Sequence, residues 1–466
     1  MKKLILSIIA LMCVSLVFAQ FNNSYVYQLG NVNGSAVNQT GNLNISDVDQ
    51  EGNNNFSTVD QTGIQNDSEM FQFGNGNDSD VDQYGTFNTS FVHQGGPGNA
   101  SVRQSDDNYS VVYQDGDNNY SHVDQYIDVG DGADNNYSDV YQNGYGNWSY
   151  VQEKGDNNVS YVYQDGDGNK ADVFQLGNYN VSEVYQIGDN NDADIDQTGD
   201  DNDSWVEQWG DTNDSDVTQV GNFNIAENQQ WGDENESDID QNGNGNYAGT
   251  GQYGYHNYSK IDQLGYDNWA LTFQDGNYNG SMVTQFGDEN DSYVDQYGNA
   301  NGSLVTQSGD YNDSEVFQNG NLNGSGVAQV GDDNISLVDQ GGMLNMSSVL
   351  QMGDRNDSGV DQKGMGNFSD VKQFGDDNVS IVDQDGTSNI SGVIQTGNQN
   401  DSYVMQDGFL NASGVLQTGF LHVSEVYQTG NFNFSMVNQF GNNHYSNVTQ
   451  FGNNNSSFVT QKNSSF

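Results

Sequence analysis

Ser24-Tyr25-Val26-Tyr27-Gln28-Leu29-Gly30-Asn31-Val32-Asn33-Gly34 is the first copy of a unit that then starts again at Ser35. The unit reads S-x-V-x-Q-x-G-x-x-N-x, eleven residues long, and 40 copies can be laid end to end, the last from Ser457. Its Gln position is Gln in 39 of them, the exception being Glu153. Its Gly position fails only at Asp106, Ile127 and Asn463 on this alignment. From Ser138 to the end the register is unbroken; before it, Ser90 to Tyr109 is two residues short of two units and Ser121 to Tyr137 carries six extra, read as an expanded turn over Tyr126 to Ala133.

Alternation for five residues followed by Gly and Asn describes a short strand and a turn. Ser, Val and Gln at positions one, three and five share one face of the strand, and the variable residues at two and four point the other way. Glycine at seven (Gly30, Gly41, Gly441, Gly452) supplies a positive φ, and Asn at ten (Asn33, Asn44) is a second turn residue able to bond its own backbone. Glycine every eleven residues excludes a helix.

The exceptions show which copies stack. Asn228, Thr250 and Thr272 replace Val at intervals of 22, as do Ile239 and Ile261; on the outer face Tyr141, Tyr163 and Tyr185 recur at 22, and so do Trp209, Trp231 and Tyr253. Two units therefore make one rung. The expected fold is all-β: a flattened, two-sheet parallel β-solenoid of about 20 rungs. Inward columns of Val (Val26, Val37, Val448, Val459) give a dry seam, and inward columns of Gln (Gln28, Gln39, Gln50, Gln61, Gln439, Gln450) can form amide ladders, each side chain donating to one neighbour and accepting from the other. Ser and Asn columns are expected to do the same.

Charge and composition bound the function. Against 10 Lys+Arg stand 65 Asp+Glu, a net charge of -55, and the hydrophobic fraction is 33%. Without clustered cations a nucleic-acid partner is excluded. Lys2 and Lys3 followed by the apolar run Leu4 to Phe18 read as an export signal over 1–19, cut before Gln20, with a short lead at 20–23 and the repeat domain over 24–466. Cleavage removes the only cysteine and leaves no transmembrane segment. No catalytic constellation stands out, and no cofactor is expected; calcium bridging stacked carboxylates such as Asp339, Asp361 and Asp383 is an auxiliary option. His422 and His444, 22 apart, occupy turn-Asn positions and read as stand-ins for Asn rather than as a metal pair.

The repeat resembles that of the curlin family, Q-x-G-x-x-N-x-A/S-x-x-x-Q, as in Gln39-Thr40-Gly41-Asn42-Leu43-Asn44-Ile45-Ser46-Asp47-Val48-Asp49-Gln50, over essentially all of Ser24 to Gln461. The resemblance implies a secreted, extracellular subunit of a curli-like amyloid fibre of the biofilm matrix, a homopolymer whose partners are an outer-membrane export pore, a nucleator subunit and periplasmic chaperones. Familiar curlins have far fewer repeats and an export segment ahead of them. The open strand edges, Ser24, Val26 and Gln28 at one end and Ser457, Val459 and Gln461 at the other, are the expected polymerising surfaces. The alternative is a monomeric surface adhesin, stiffened by calcium.

Overall fold

A valine flanked at i±2 by Ser and Gln cannot bury all three side chains as an isolated strand, so each unit needs a strand beside it and another in front. The computed structural model, which describes residues 21–95, 106–126 and 134–463, provides both. There are 39 strands and no helix among the described residues. At two strands per rung this is a β-solenoid of about 19–20 turns. The export segment read over 1–19, residues 100–105 of the copy read from Ala100 and residues 127–133 of the expanded turn read over Tyr126 to Ala133 lie outside the described residues.

The chain divides into two compact units, Met1–Asn191 and Asp192–Phe466. In the first, one parallel sheet joins β1 (Asn23–Asn31), β3 (Ile45–Asn53), β5 (Asp67–Asn75), β7 (Thr89–Gln94), β9 (Tyr120–Gln125), β11 (Trp148–Lys154) and β13 (Lys170–Leu176) in that order. The other joins β2 (Gly34–Asn42), β4 (Phe56–Ile64), β6 (Asp78–Thr86), β8 (Tyr109–Asp117), β10 (Tyr137–Tyr145), β12 (Val159–Asp165) and β14 (Val181–Ile187). The second unit repeats the scheme, odd strands running from β15 (Asp192–Thr198) to β39 (Ser456–Lys462) and even ones from β16 (Asp203–Trp209) to β38 (Tyr445–Phe451). Pairing is in register, Ser on Ser, Val on Val and Gln on Gln, as in Ser24↔Ser46, Val26↔Val48 and Gln28↔Gln50.

Between the sheets lies a thin seam of valine, Val48 through Val437 being almost fully buried, each side chain worth about 1.5 kcal/mol or more. Beside it run the amide ladders. Gln50 Nε2 donates to Gln72 Oε1 at 2.7 Å and, with its other hydrogen, to the carbonyl of Gly34 in the opposite sheet at 3.0 Å. One side chain thus ties three strands together, and a buried amide that would otherwise be costly is satisfied.

Three details depart from the sequence reading. First, strands run on past Gln, up to nine residues long, so Gly pairs with Gly one rung on (Gly30↔Gly52) and the turn shrinks. Gly at seven has the expected positive φ, and a second, left-handed residue follows at position nine, where Leu43, Phe87 and Phe223 take φ near 60° (61, 61 and 59°). Second, Asn at ten is not only a turn residue: Asn44 is fully buried, its Nδ2 donating to Thr40 O at 3.1 Å while its Oδ1 accepts the Asn66 amide of the next rung at 3.1 Å. Third, the Ser column forms no continuous ladder. Ser46, Ser68, Ser79 and many others leave Oγ buried without a partner, because a hydroxyl reaches less far than an amide across the spacing of about 4.8 Å between strands; Ser413 and Ser435, with Oγ atoms 3.4 Å apart, make an isolated contact across one rung. Ala can therefore replace it, as at Ala171, Ala193 and Ala226, all buried.

The count of copies also changes. β6 pairs directly with β8 and β7 directly with β9, Ser79 on Ser110 and Ser90 on Ser121, 31 residues apart instead of 22. Both pairs are direct neighbours, so the copy read from Ala100 does not come between them as a rung. Asp106 does not take the Gly position; it continues the column of position eight, its Oδ1 accepting the Asn75 amide at 2.7 Å and its own amide donating to Asp134 Oδ1 at 2.8 Å. Stacking the turn carboxylates and amides in line outweighs keeping a degenerate copy as a strand.

Candidate functional site: the two ends of the ladder

Every Gln–Gln bond seen along the ladders points the same way. Gln28 donates to Gln50 at 2.7 Å, Gln39 to Gln61 at 2.8 Å, Gln428 to Gln450 at 2.8 Å and Gln439 to Gln461 at 2.9 Å. A one-way ladder has unlike ends. Gln28 and Gln39 are the first rungs, and their Oε1 atoms accept nothing from the described residues. Gln450 and Gln461 are the last; each spends one amide hydrogen on a carbonyl, Phe434 O at 2.9 Å and Tyr445 O at 2.7 Å, and keeps the other.

The backbone is equally open. β1 is exposed at every residue, Val26 at 44%, although the same position is fully buried one rung on at Val48. Val37, Gln39, Val459 and Gln461 are half-buried, and Val448 and Gln450 nearly buried. Ser24 lies on the exposed β1 and Ser457 is half-buried on β39. Of the turn residues, Gly30, Gly41, Gly441 and Gly452 all have positive φ, and Asn33 Nδ2 reaches Gly52 O of the next rung at 3.1 Å.

The last described strands form a step. β39 covers the preceding odd strand, while among the described residues no strand lies over β38, leaving an open cavity of about 490 Å³ whose lining includes Val448, Gln450, Ser457 and Val459. The N-terminal end is the converse step: β1 stands half a turn ahead of β2.

Other side chains singled out in the sequence fall as follows. Trp209 and Trp231 stack at 5.2 Å with an interplanar angle of 14°, and Tyr253 meets Trp231 edge-on, on the outer face. Tyr141 and Tyr163 stack at 4.8 Å. Asp339, Asp361 and Asp383 are in register, with the Lys363 ammonium on Asp361 at 2.5 Å. His422 and His444 stack at 5.1 Å, and each Nε2 meets the carbonyl four residues back, Thr418 O at 3.2 Å and Phe440 O at 3.0 Å, as the turn Asn amides do.

One group was not legible in the sequence: His93, His122 and Asp124, whose ligating atoms lie within 4.8 Å of one another. Counting three copies from Ser90 to Ser121 puts their strands on opposite sheets. Only when the copy read from Ala100 is not counted as a rung do β7 and β9 become neighbours.

Comparison with known proteins places the repeats. The curlin associated repeat matches at 52–85, 166–199, 188–221, 232–265, 265–298, 345–375 and 425–452, stretches that lie in both units. No curated protein matches the chain. No helix among the described residues is long and apolar enough to cross a membrane. With an eleven-residue unit, in-register parallel sheets and seven matches in phase, the chain belongs to the curlin-repeat family, and its fold fits a curli-type structural subunit.

Proposed function

We propose that the chain is a secreted, extracellular subunit that polymerises end to end into a curli-like amyloid fibre serving adhesion and the biofilm matrix. The observation that carries this reading is the match between the two ends. A strand following β39 in the regular pattern would lie over β38, and one preceding β1 would lie under β2. A second copy placed head to tail therefore sets its β1 on β38 and its β2 on β39. Ser24, Val26 and Gln28 then meet Ser446, Val448 and Gln450, while Ser35, Val37 and Gln39 meet Ser457, Val459 and Gln461. The spare hydrogens of Gln450 and Gln461 point to the vacant acceptors of Gln28 and Gln39, so the ladder continues without a break in polarity.

Family membership supports the remaining partners: an outer-membrane export pore, a nucleator subunit and periplasmic chaperones. No cofactor enters the stacking step, and calcium is at most auxiliary. The test is electron microscopy of the chain from Gln20 to Phe466 incubated in calcium-free buffer. Long unbranched fibres are expected. Discrete short rods alone would overturn end-to-end polymerisation and favour a monomeric adhesin.

A further inference from the structure

The repeat breaks register at two places only, after β7 and after β9, which are neighbouring strands of one sheet. Ser90 pairs with Ser121, 31 residues on, and Ser110 with Ser138, 28 residues on, where 22 is the rule. Two of the five histidines, His93 and His122, stand on the outer faces of those two strands.

Their geometry is convergent. His93 Nδ1 lies 3.1 Å and His122 Nε2 2.9 Å from the same oxygen, Asp124 Oδ1. Three donors about a tetrahedral metal with bonds of 2.0–2.2 Å sit roughly 3.3 Å apart, so little movement separates this cluster from a ligand set. Asp124 is only 5% exposed, unusual for an outward-facing aspartate of this chain.

A second layer of contacts orients these groups. Tyr150 Oη donates to Asp124 Oδ2 at 3.0 Å and itself accepts from Gln152 Nε2 at 3.0 Å. Tyr120 Oη approaches His122 Nδ1 at 3.4 Å, leaving Nε2 directed at Asp124. Partners of this kind fix imidazole and carboxylate at metal centres. Phe71 packs on His93 at 5.1 Å and Phe91 on His122 at 5.7 Å. Next to the cluster, Gly95 and Tyr126 join Phe71, Phe73 and His93 around a largely apolar cavity of about 290 Å³, room for a water or small ligand at a fourth position.

From this geometry we infer that His93, His122 and Asp124 form a binding site for one borderline divalent transition-metal ion, of the zinc or cobalt type. Two imidazoles and one carboxylate select such an ion over calcium, which takes six or more oxygen ligands. The site is an addition to the fibre subunit, not part of its stacking surface, since the three residues lie on the outer face of rungs away from both ends.

The test uses the full mature chain, titrated with Co2+ and Zn2+ in the presence of excess Ca2+ and Mg2+ to saturate the many surface carboxylates. One Co2+ per chain is expected, with a d–d spectrum of low coordination number, displaced by Zn2+. His122→Asn is expected to weaken binding at least about 100-fold, and Tyr150→Phe about tenfold. His422→Asn with His444→Asn is expected to leave it unchanged. X-ray absorption of the zinc-loaded wild-type chain, which needs no variant, is expected to show two imidazoles. An oxygen-only shell, or unaltered one-to-one binding in a correctly folded His122→Asn chain, would overturn the assignment.

Discussion

Gln125 donates its amide to Glu153 Oε2 at 2.8 Å, so one carboxyl stands in a column otherwise made of amides. Glu153 is fully buried and its Oε1 has no partner. Burial pushes its pKa up to about 8, against the opposing effect of hydrogen bonds from Gln125 and Ser160. The folded chain therefore binds this proton more tightly than the unfolded one. Its contribution is complete below the ordinary value of 4.5 and is lost as pH rises through about 8. Glu153→Gln is expected to have little effect at pH 4 and to stabilise by about 3 kcal/mol at pH 7. Hydrogen exchange of the β11 and β13 amides against pH checks it.

Acid columns carry the same sign. Asp216, stacked between Asp194 and Asp238, is raised to about 6 by burial and then by those neighbours, and Asp82, in register with Asp60, is raised to about 6 by burial, Asp80 and Asp60. Protonation relieves both, so the solenoid is expected to become more stable as pH falls from 7 through 6 towards 4, measured by denaturant midpoint. Asp216→Asn is expected to flatten part of that rise.

The turn can be tested in both directions. A Cβ on Gly320 would lie 1.7 Å from Gly342 O in the next rung, and φ there is +140°. Gly320→Ala is expected to cost at least about 3 kcal/mol. Two residues on, Leu322 holds φ of 58° with 51% of its surface exposed, a state that favours glycine. Leu322→Gly is expected to stabilise by about 0.5–1 kcal/mol, the left-handed penalty outweighing the entropy cost of glycine. Thermal unfolding of the two variants should move in opposite directions.

His422 is fully buried, and its Nδ1 accepts the His444 backbone amide at 3.3 Å. Burial, and secondarily the charge of His444, hold its pKa below the ordinary 6.5. Its contribution is therefore present above 6.5 and lost as pH falls through the lowered value, where a protonated ring has no acceptor left. His422→Asn is expected to abolish this local acid sensitivity, read as hydrogen exchange of the His444 amide between pH 7 and 5.

At the ends, replacing Gln450 and Gln461 by Glu removes the spare donors and sets carboxylates against the Gln28 and Gln39 oxygens. Seeded elongation on wild-type fibres is expected to slow at least about tenfold while monomer circular dichroism stays unchanged. Equal elongation rates would show that the ladder does not continue between copies.

The amino-acid sequence by itself determined the unit, the inward and outward faces and the pairing of every second copy, because a side-chain period of two and a recurring Gly–Asn turn are local and repeat in phase. Oddities such as Asn228 and Thr250 reported which strands touch, since a polar group between sheets needs its partner beside it, here Thr250 Oγ1 on Asn228 Oδ1 at 2.7 Å. Only the tertiary structure decided the rest. Whether the copy read from Ala100 counts as a rung depends on how β6 stacks on β8 and β7 on β9, an energy shared between residues 31 apart. That choice places His93 beside His122 and Asp124. Which polar columns close into ladders depends on reach across the rung spacing: Gln and Asn span it rung after rung, Ser only in isolated contacts such as Ser413 with Ser435, and a residue pattern that treats all three alike cannot tell them apart.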